Sequence, residues 1–128
     1  MDEIIIRRYL NNFRREISPL LKSGVGMHIQ AYKYDTGCVI VARLGIDINA
    51  EDTIQPSQNL NDALSKTDLF DLSSIPDNTT IHKGQFFLSR DKIILLKNDN
   101  PADWNDSAVR HDVRHILKLI RHNGEDQI

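Results

Sequence analysis

Met27-His28-Ile29-Gln30-Ala31-Tyr32-Lys33-Tyr34-Asp35-Thr36-Gly37-Cys38-Val39-Ile40-Val41-Ala42-Arg43-Leu44-Gly45-Ile46 is the stretch that decides the fold. Its two runs, 27–34 and 38–46, are rich in β-branched and aromatic residues and flank Asp35-Thr36-Gly37. The glycine is read as supplying the positive φ that a short hairpin loop requires. Two antiparallel strands are therefore expected here.

A first helix is expected upstream, from about Asp2 to about Leu21. Ile6, Tyr9, Leu10, Phe13, Ile17, Leu20 and Leu21 recur at helical spacing, and Asp2 and Glu3 suit the positive end of the helix dipole. Pro19 predicts a kink, or a break followed by one short turn. Ser23-Gly24-Val25-Gly26 reads as a joint. It precedes a strand, whereas a phosphate-binding loop follows one.

Downstream of the hairpin, Ser57 to Lys66 reads as a short helix capped by Ser57, with Leu60, Ala63 and Leu64 inward. Leu69, Phe70, Leu72 and Ile75 are too apolar for a free linker and predict a segment that lies across the sheet or packs under a loop. A second hairpin is expected from strands at about 80–88 and 92–97 around Ser89-Arg90-Asp91, with Ile93-Ile94-Leu95-Leu96 covered on both faces or central in the sheet. Asn98-Asp99-Asn100-Pro101 ends it. Asn105 or Asp106 then caps a last helix, Trp104 staples onto Val109, and Asn123-Gly124 stops the helix.

The expected fold is α+β: one domain, 1–128, with an antiparallel sheet of about four strands in two hairpins. The order is α-ββ-α-ββ-α, with the terminal helices packed on one face. No residues match a family signature. In plan alone, this order is similar to that of bacterial secretion chaperones and small dimeric scaffold modules, a likeness that supplies no site.

The last helix divides its chemistry by face. Val109, Val113, Ile116, Leu117 and Ile120 span about 100° of the helical wheel. Arg110, His111, Arg114, His115, Lys118, Arg121 and His122 span about 140° on another side. Of these, Arg110, His111, Arg114, His115, Lys118 and Arg121 are the candidate partner-binding residues. A charged outer face is also what any surface helix carries, so the stripe by itself assigns nothing.

His111-Asp112-Val113-Arg114-His115 has the spacing of the H-E-x-x-H zinc proteases with Asp in place of Glu. Asp is one carbon shorter, Arg114 repels a dication, and a catalytic zinc needs a third protein ligand. His122 lies seven residues past His115, about 10 Å along the axis and too far to serve. The expectation is no catalytic metal and no cofactor, with a two-histidine metal pair as the lesser alternative to exposed histidines. A metal-independent ribonuclease would draw on His28, His82, His111 and His115 with Arg110 and Arg114. Nucleic-acid binding without catalysis would add Arg7, Arg8, Arg14 and Arg15 of the first helix. Against it stand a slightly acidic chain and no aromatic interleaved to stack bases.

With 128 residues, 40% hydrophobic and 27% charged, the composition is that of an ordinary soluble domain able to bury a core without staples. The lone cysteine, Cys38, sits among apolar neighbours and reads as inert packing in a reducing cytoplasm. The amino terminus lacks the order of a signal peptide, and no apolar run reaches the roughly 20 residues of a membrane span. Net charge is −2, but seven acidic residues against Lys66 leave the segment 47–77 at −6 and the remainder at +4.

The sequence thus favours a small cytoplasmic, non-catalytic interaction module (adaptor, chaperone-like or regulatory) that binds another protein, or itself as a homodimer. The contact would be the sheet edge or a terminal-helix face, with no membrane involved. The alternative is a nucleic-acid binder or small ribonuclease using the basic last helix.

Overall fold

The first hairpin is continuous. In the computed structural model, β1 (Val25–Tyr34) and β2 (Gly37–Ile46) pair antiparallel from Val25↔Ile46 to Tyr34↔Gly37. The structure describes residues 2–46, 51–67, 77–81, 84–89 and 92–123, without the side chains of 77–81, 84–89 and 119–123.

Gly37 does not adopt the positive φ expected of it; Gly24, at φ 83, does. The reason for glycine at 37 is space. A Cβ there would lie 2.3 Å from the Lys97 carbonyl oxygen, so any side chain would push the neighbouring strand away.

That neighbour is β6 (Lys92–Asn98), which pairs antiparallel with β2 from Gly37↔Asn98 to Arg43↔Lys92. Beyond it come β5 (Gly84–Ser89) and β4 (Asp77–Ile81), both antiparallel. The single strand expected at about 80–88 is thus two strands. On the other side, β3 (Thr53–Pro56) pairs parallel with β1, Gln30↔Thr53 to Lys33↔Pro56. The sheet therefore has six strands in the order β3-β1-β2-β6-β5-β4 and is mixed, where four antiparallel strands were expected. β3 carries no alternating pattern, and Pro56, which lacks a backbone donor, is tolerated because the strand is at the edge.

α1 (Glu3–Ile17) begins at Asp2, whose Oδ1 accepts from the Ile4 N–H at 2.8 Å. It ends where Pro19 ends it. A 3-10 turn, Ser18–Leu20, takes the proline into its first turn, where a missing N–H costs nothing. α2 is Leu60–Ser65 and is capped by Asn59, not Ser57. A second 3-10 turn, Pro101–Trp104, leads to α3 (Asp106–Asn123), capped by Asn105 through the Ala108 N–H.

The helices divide between the two sheet faces by strand parity. Met27, Ile29 and Ala31 of β1, Cys38, Ile40, Ala42 and Leu44 of β2, and Ile93 and Leu95 of β6 bury against α1 and α3. Tyr32, Val39, Val41 and Ile94 point the other way, onto Leu60, Ala63 and Leu64 of α2. The terminal helices share one face, as expected. Phe13 and Trp104 anchor the larger core at 0% and 2% exposure, and truncating either to alanine removes about 3–5 kcal/mol.

The packing of Leu69, Phe70, Leu72 and Ile75, the Arg90-Asp91 turn and Gly124 lie outside the described residues. Among the described residues no helix is long and apolar enough to cross a membrane.

Candidate functional site

α1 and α3 lie side by side and run in the same sense. Asn12 Nδ2 donates to Asp106 Oδ1 at 2.6 Å, and further along both helices Glu16 and Leu20 share a cleft with Arg110, Val113, Arg114 and Leu117. The cleft has a volume of about 200 Å³. Its apolar floor and paired arginines follow from spacing: 113 and 117 share a helix stripe, and 110 and 114 border it one turn apart.

A larger groove of about 560 Å³ runs along the outer side of α1, lined by Ile4, Arg7, Arg8, Asn11 and Arg15 among others. Ile4 is 68% exposed there. Arg7 Nη1 donates to the Asp52 carbonyl oxygen, and Arg14 pairs with the Asp52 carboxylate at 2.5 Å while donating to the Met27 carbonyl oxygen. The acidic middle segment thus touches α1 through Asp52, next to β3, and engages Arg7 and Arg14 rather than Arg8 and Arg15, while Arg7 stays exposed.

The six candidate residues of the last helix separate into two sets. Arg110, Arg114 and Lys118 are exposed, whereas His111 and His115 are half-buried. The side chain of Arg121 lies outside the described residues. The two histidines turn toward each other, with Nε2 to Nε2 at 3.1 Å and ring centroids 4.3 Å apart. The His115 pKa is lowered, first by burial and then by the charges of His111, Lys118 and Arg114, with Asp112 opposing.

Behind them stands a buried polar cluster that sequence reading missed. Asp112, on α3 and fully buried, accepts at Oδ2 from Tyr9 Oη of α1 at 2.6 Å and from Lys97 Nζ of β6 at 2.8 Å. Lys97 Nζ sits 4.3 Å from the centroid of the Tyr9 ring and 5.2 Å from that of Trp104. Trp104 in turn meets Tyr9 edge-on and donates to the Asn98 carbonyl oxygen. Burial raises the Tyr9 pKa, reinforced by the Asp112 charge, and burial lowers that of Lys97 against the pull of Asp112. Enclosed on every side, this cluster ties α1, β6 and α3 together and offers no approach to a substrate.

Other residues raised by the sequence do not converge. His28 follows β1 parity onto the α2 face, while His111 and His115 ride α3 over the opposite face, so the sheet separates them. His82 lies outside the described residues. Cys38 is fully buried, and burial pushes its thiol up to about 12. Among the described residues no group of three or more His, Cys, Asp or Glu side chains is placed to hold a metal.

No family model, curated protein or solved structure matches the chain.

Proposed function

We propose that the chain is a small non-catalytic interaction module whose α1–α3 layer binds an acidic protein segment. The observation that carries this reading is the pair of grooves on that layer, each combining apolar contact with exposed guanidinium groups. One has Ile4 beside Arg7, Arg8 and Arg15; the other has Leu20, Val113 and Leu117 beside Arg110 and Arg114. Lys118, also exposed, follows Arg114 one turn further along α3. An amphipathic acidic segment matches both properties: apolar side chains fill the floor, and carboxylates meet arginine forks that favour bidentate pairing.

A second copy of the chain has the required chemistry, since its segment 47–77 carries a net −6, so self-association belongs to the same proposal. The inferred compartment is the cytoplasm, on the strength of one unpaired, buried cysteine. Polyanion binding is the second reading, favoured by the placement of α1 and α3 arginines in one layer.

The test is fluorescence anisotropy with a labelled acidic amphipathic peptide and a single-stranded RNA, alongside sedimentation of the protein alone, all at low and near-physiological salt. The reading expects peptide binding, or a salt-sensitive dimer, that Arg114→Glu/Lys118→Glu weakens and makes less salt-dependent. RNA binding in preference to peptide would replace it with the second reading, and a cleaved RNA would restore the ribonuclease. Peptide binding or dimerisation untouched by the double reversal would remove the helix layer from the account.

A further inference from the structure

Two imidazoles four residues apart on a helix ordinarily have freedom to point into solvent. His111 and His115 instead bring their Nε2 atoms to 3.1 Å, which leaves room for one proton, or one ion, between two nitrogen lone pairs. Which it is depends on the far side of the His111 ring. There Nδ1 faces Asp112 Oδ1 at 3.6 Å, and that oxygen is buried without a hydrogen-bond partner, because Tyr9 and Lys97 both bond to Oδ2. A carboxylate in that position favours the proton on His111 Nδ1. The Nε2 lone pair is then directed at His115.

We propose that His111 and His115 form a two-histidine chelate for a first-row divalent transition-metal ion such as Zn²⁺, Ni²⁺ or Cu²⁺, oriented from behind by Asp112. At a metal–nitrogen distance of about 2.0–2.1 Å, tetrahedral ligands lie about 3.3 Å apart. The observed separation is within a small side-chain adjustment of this value. At 3.6 Å the carboxylate is beyond hydrogen-bond length from the His111 ring, so it acts through its charge, and a small rotation of the ring would bring it into the carboxylate–histidine contact that raises ligand basicity at metal sites. Asp112 is itself held by Lys97 and Tyr9, so the orienting group is rigid. With the His111 proton on Nδ1, the Nε2···Nε2 line of the metal-free protein holds one hydrogen bond, donated by His115. On binding, that proton passes through solvent to His115 Nδ1, and the two lone pairs go to the ion. No net proton is released from the neutral pair.

The site has an open side. The His111 side chain is 42% accessible, and no third protein ligand joins among the described residues, so water completes the coordination. Arg114 and Lys118 nearby oppose a dication and keep the affinity modest. Imidazole donors select for Cu²⁺, Ni²⁺ and Zn²⁺ over Mg²⁺ and Ca²⁺.

The experiment is calorimetric titration of the protein with ZnCl₂, NiCl₂ and MgCl₂. It is repeated on His111→Ala, His115→Ala and, as a control on the other sheet face, His28→Ala, with circular dichroism confirming each fold. Imidazole ¹⁵N shifts are followed through the zinc titration. The proposal expects one equivalent of Zn²⁺ or Ni²⁺, no Mg²⁺, about tenfold or greater weakening in each α3 variant, little change in His28→Ala, and shifts at Nε2 of both residues. It is overturned if wild type takes up no Zn²⁺ or Ni²⁺, if binding survives His115→Ala, or if the shifts appear at other histidines. None of these outcomes bears on peptide or RNA binding, so this proposal and the previous one fail independently.

Discussion

Lys97 and Asp112 sit 2.8 Å apart with side-chain exposures of 1% and 0%, one on the last strand and one on the last helix. A buried pair of this kind is costly to break but not necessarily stabilising overall, because both charges have left water. Lys97→Met should destabilise the protein by about 3–5 kcal/mol by stranding the carboxylate. Replacing the whole set, as in Tyr9→Phe/Lys97→Met/Asp112→Leu, should be markedly less harmful than Lys97→Met alone. Urea unfolding of the two variants decides this; a triple variant as unstable as the single would show that the pair contributes net stability.

Gly37 should not tolerate even one methyl group. With the Lys97 carbonyl oxygen 2.3 Å and the Asn98 Cα 3.3 Å from a built Cβ, Gly37→Ala forces β2 and β6 apart and should cost about 1–3 kcal/mol. A thermal melt within error of wild type would contradict this.

The attachment of β3 depends on Asp52. Its carboxylate meets Arg14, and its carbonyl accepts from Arg7, so Asp52→Ala should cost only about 1 kcal/mol globally. The larger effect is local: amide exchange at Ile54 and Gln55 should speed up while β2 is unchanged. Equal acceleration across the sheet would mean that β3 does not open on its own.

Acid should weaken the fold through His115. Its folded-state pKa lies below the ordinary histidine value, so between the two values the unfolded chain binds more protons, and stability falls as pH drops through about 6.5. The urea midpoint, followed from pH 7.5 to 5.5, should decline less steeply in His115→Gln.

Cys38 should resist alkylation in the native state, since its thiol is fully buried and pushed up to about 12. Labelling by a thiol reagent should then track unfolding, accelerating with denaturant. A fast, denaturant-independent reaction would place the thiol within reach of solvent.

Where a local pattern and the tertiary environment agreed, the fold was readable in the sequence. β-Branched and aromatic runs flanking Asp35-Thr36-Gly37 predicted β1 and β2, the apolar stripes predicted α1 and α3, and the one-sided helix layer followed from them. β3 was not legible, because Thr53-Ile54-Gln55-Pro56 is short, has no period and joins a parallel pair with a distant partner. β4 was lost by merging it with β5. The candidate site was half legible: Arg110, Arg114 and Lys118 are exposed as their spacing suggests, but the mutual contact of His111 and His115 is a matter of rotamers that no spacing encodes. A signal for the buried cluster did exist. Lys97 falls on the same strand parity as Ile93 and Leu95, and Asp112 falls beside Val109 and Ile116 on the wheel. Two opposite charges on the inward registers of successive elements imply each other.

The hydrogen bond from Tyr9 to Asp112 joins residues 103 positions apart. During synthesis at about 5–20 residues per second, the tyrosine waits about 5–20 s for its acceptor. In that interval the apolar stripe of α1 has no α3 beside it, and the emerging chain must be kept from sticking to its neighbours. Slowing the ribosome between the second and third helices would therefore lower the yield of native protein without altering a single contact in it.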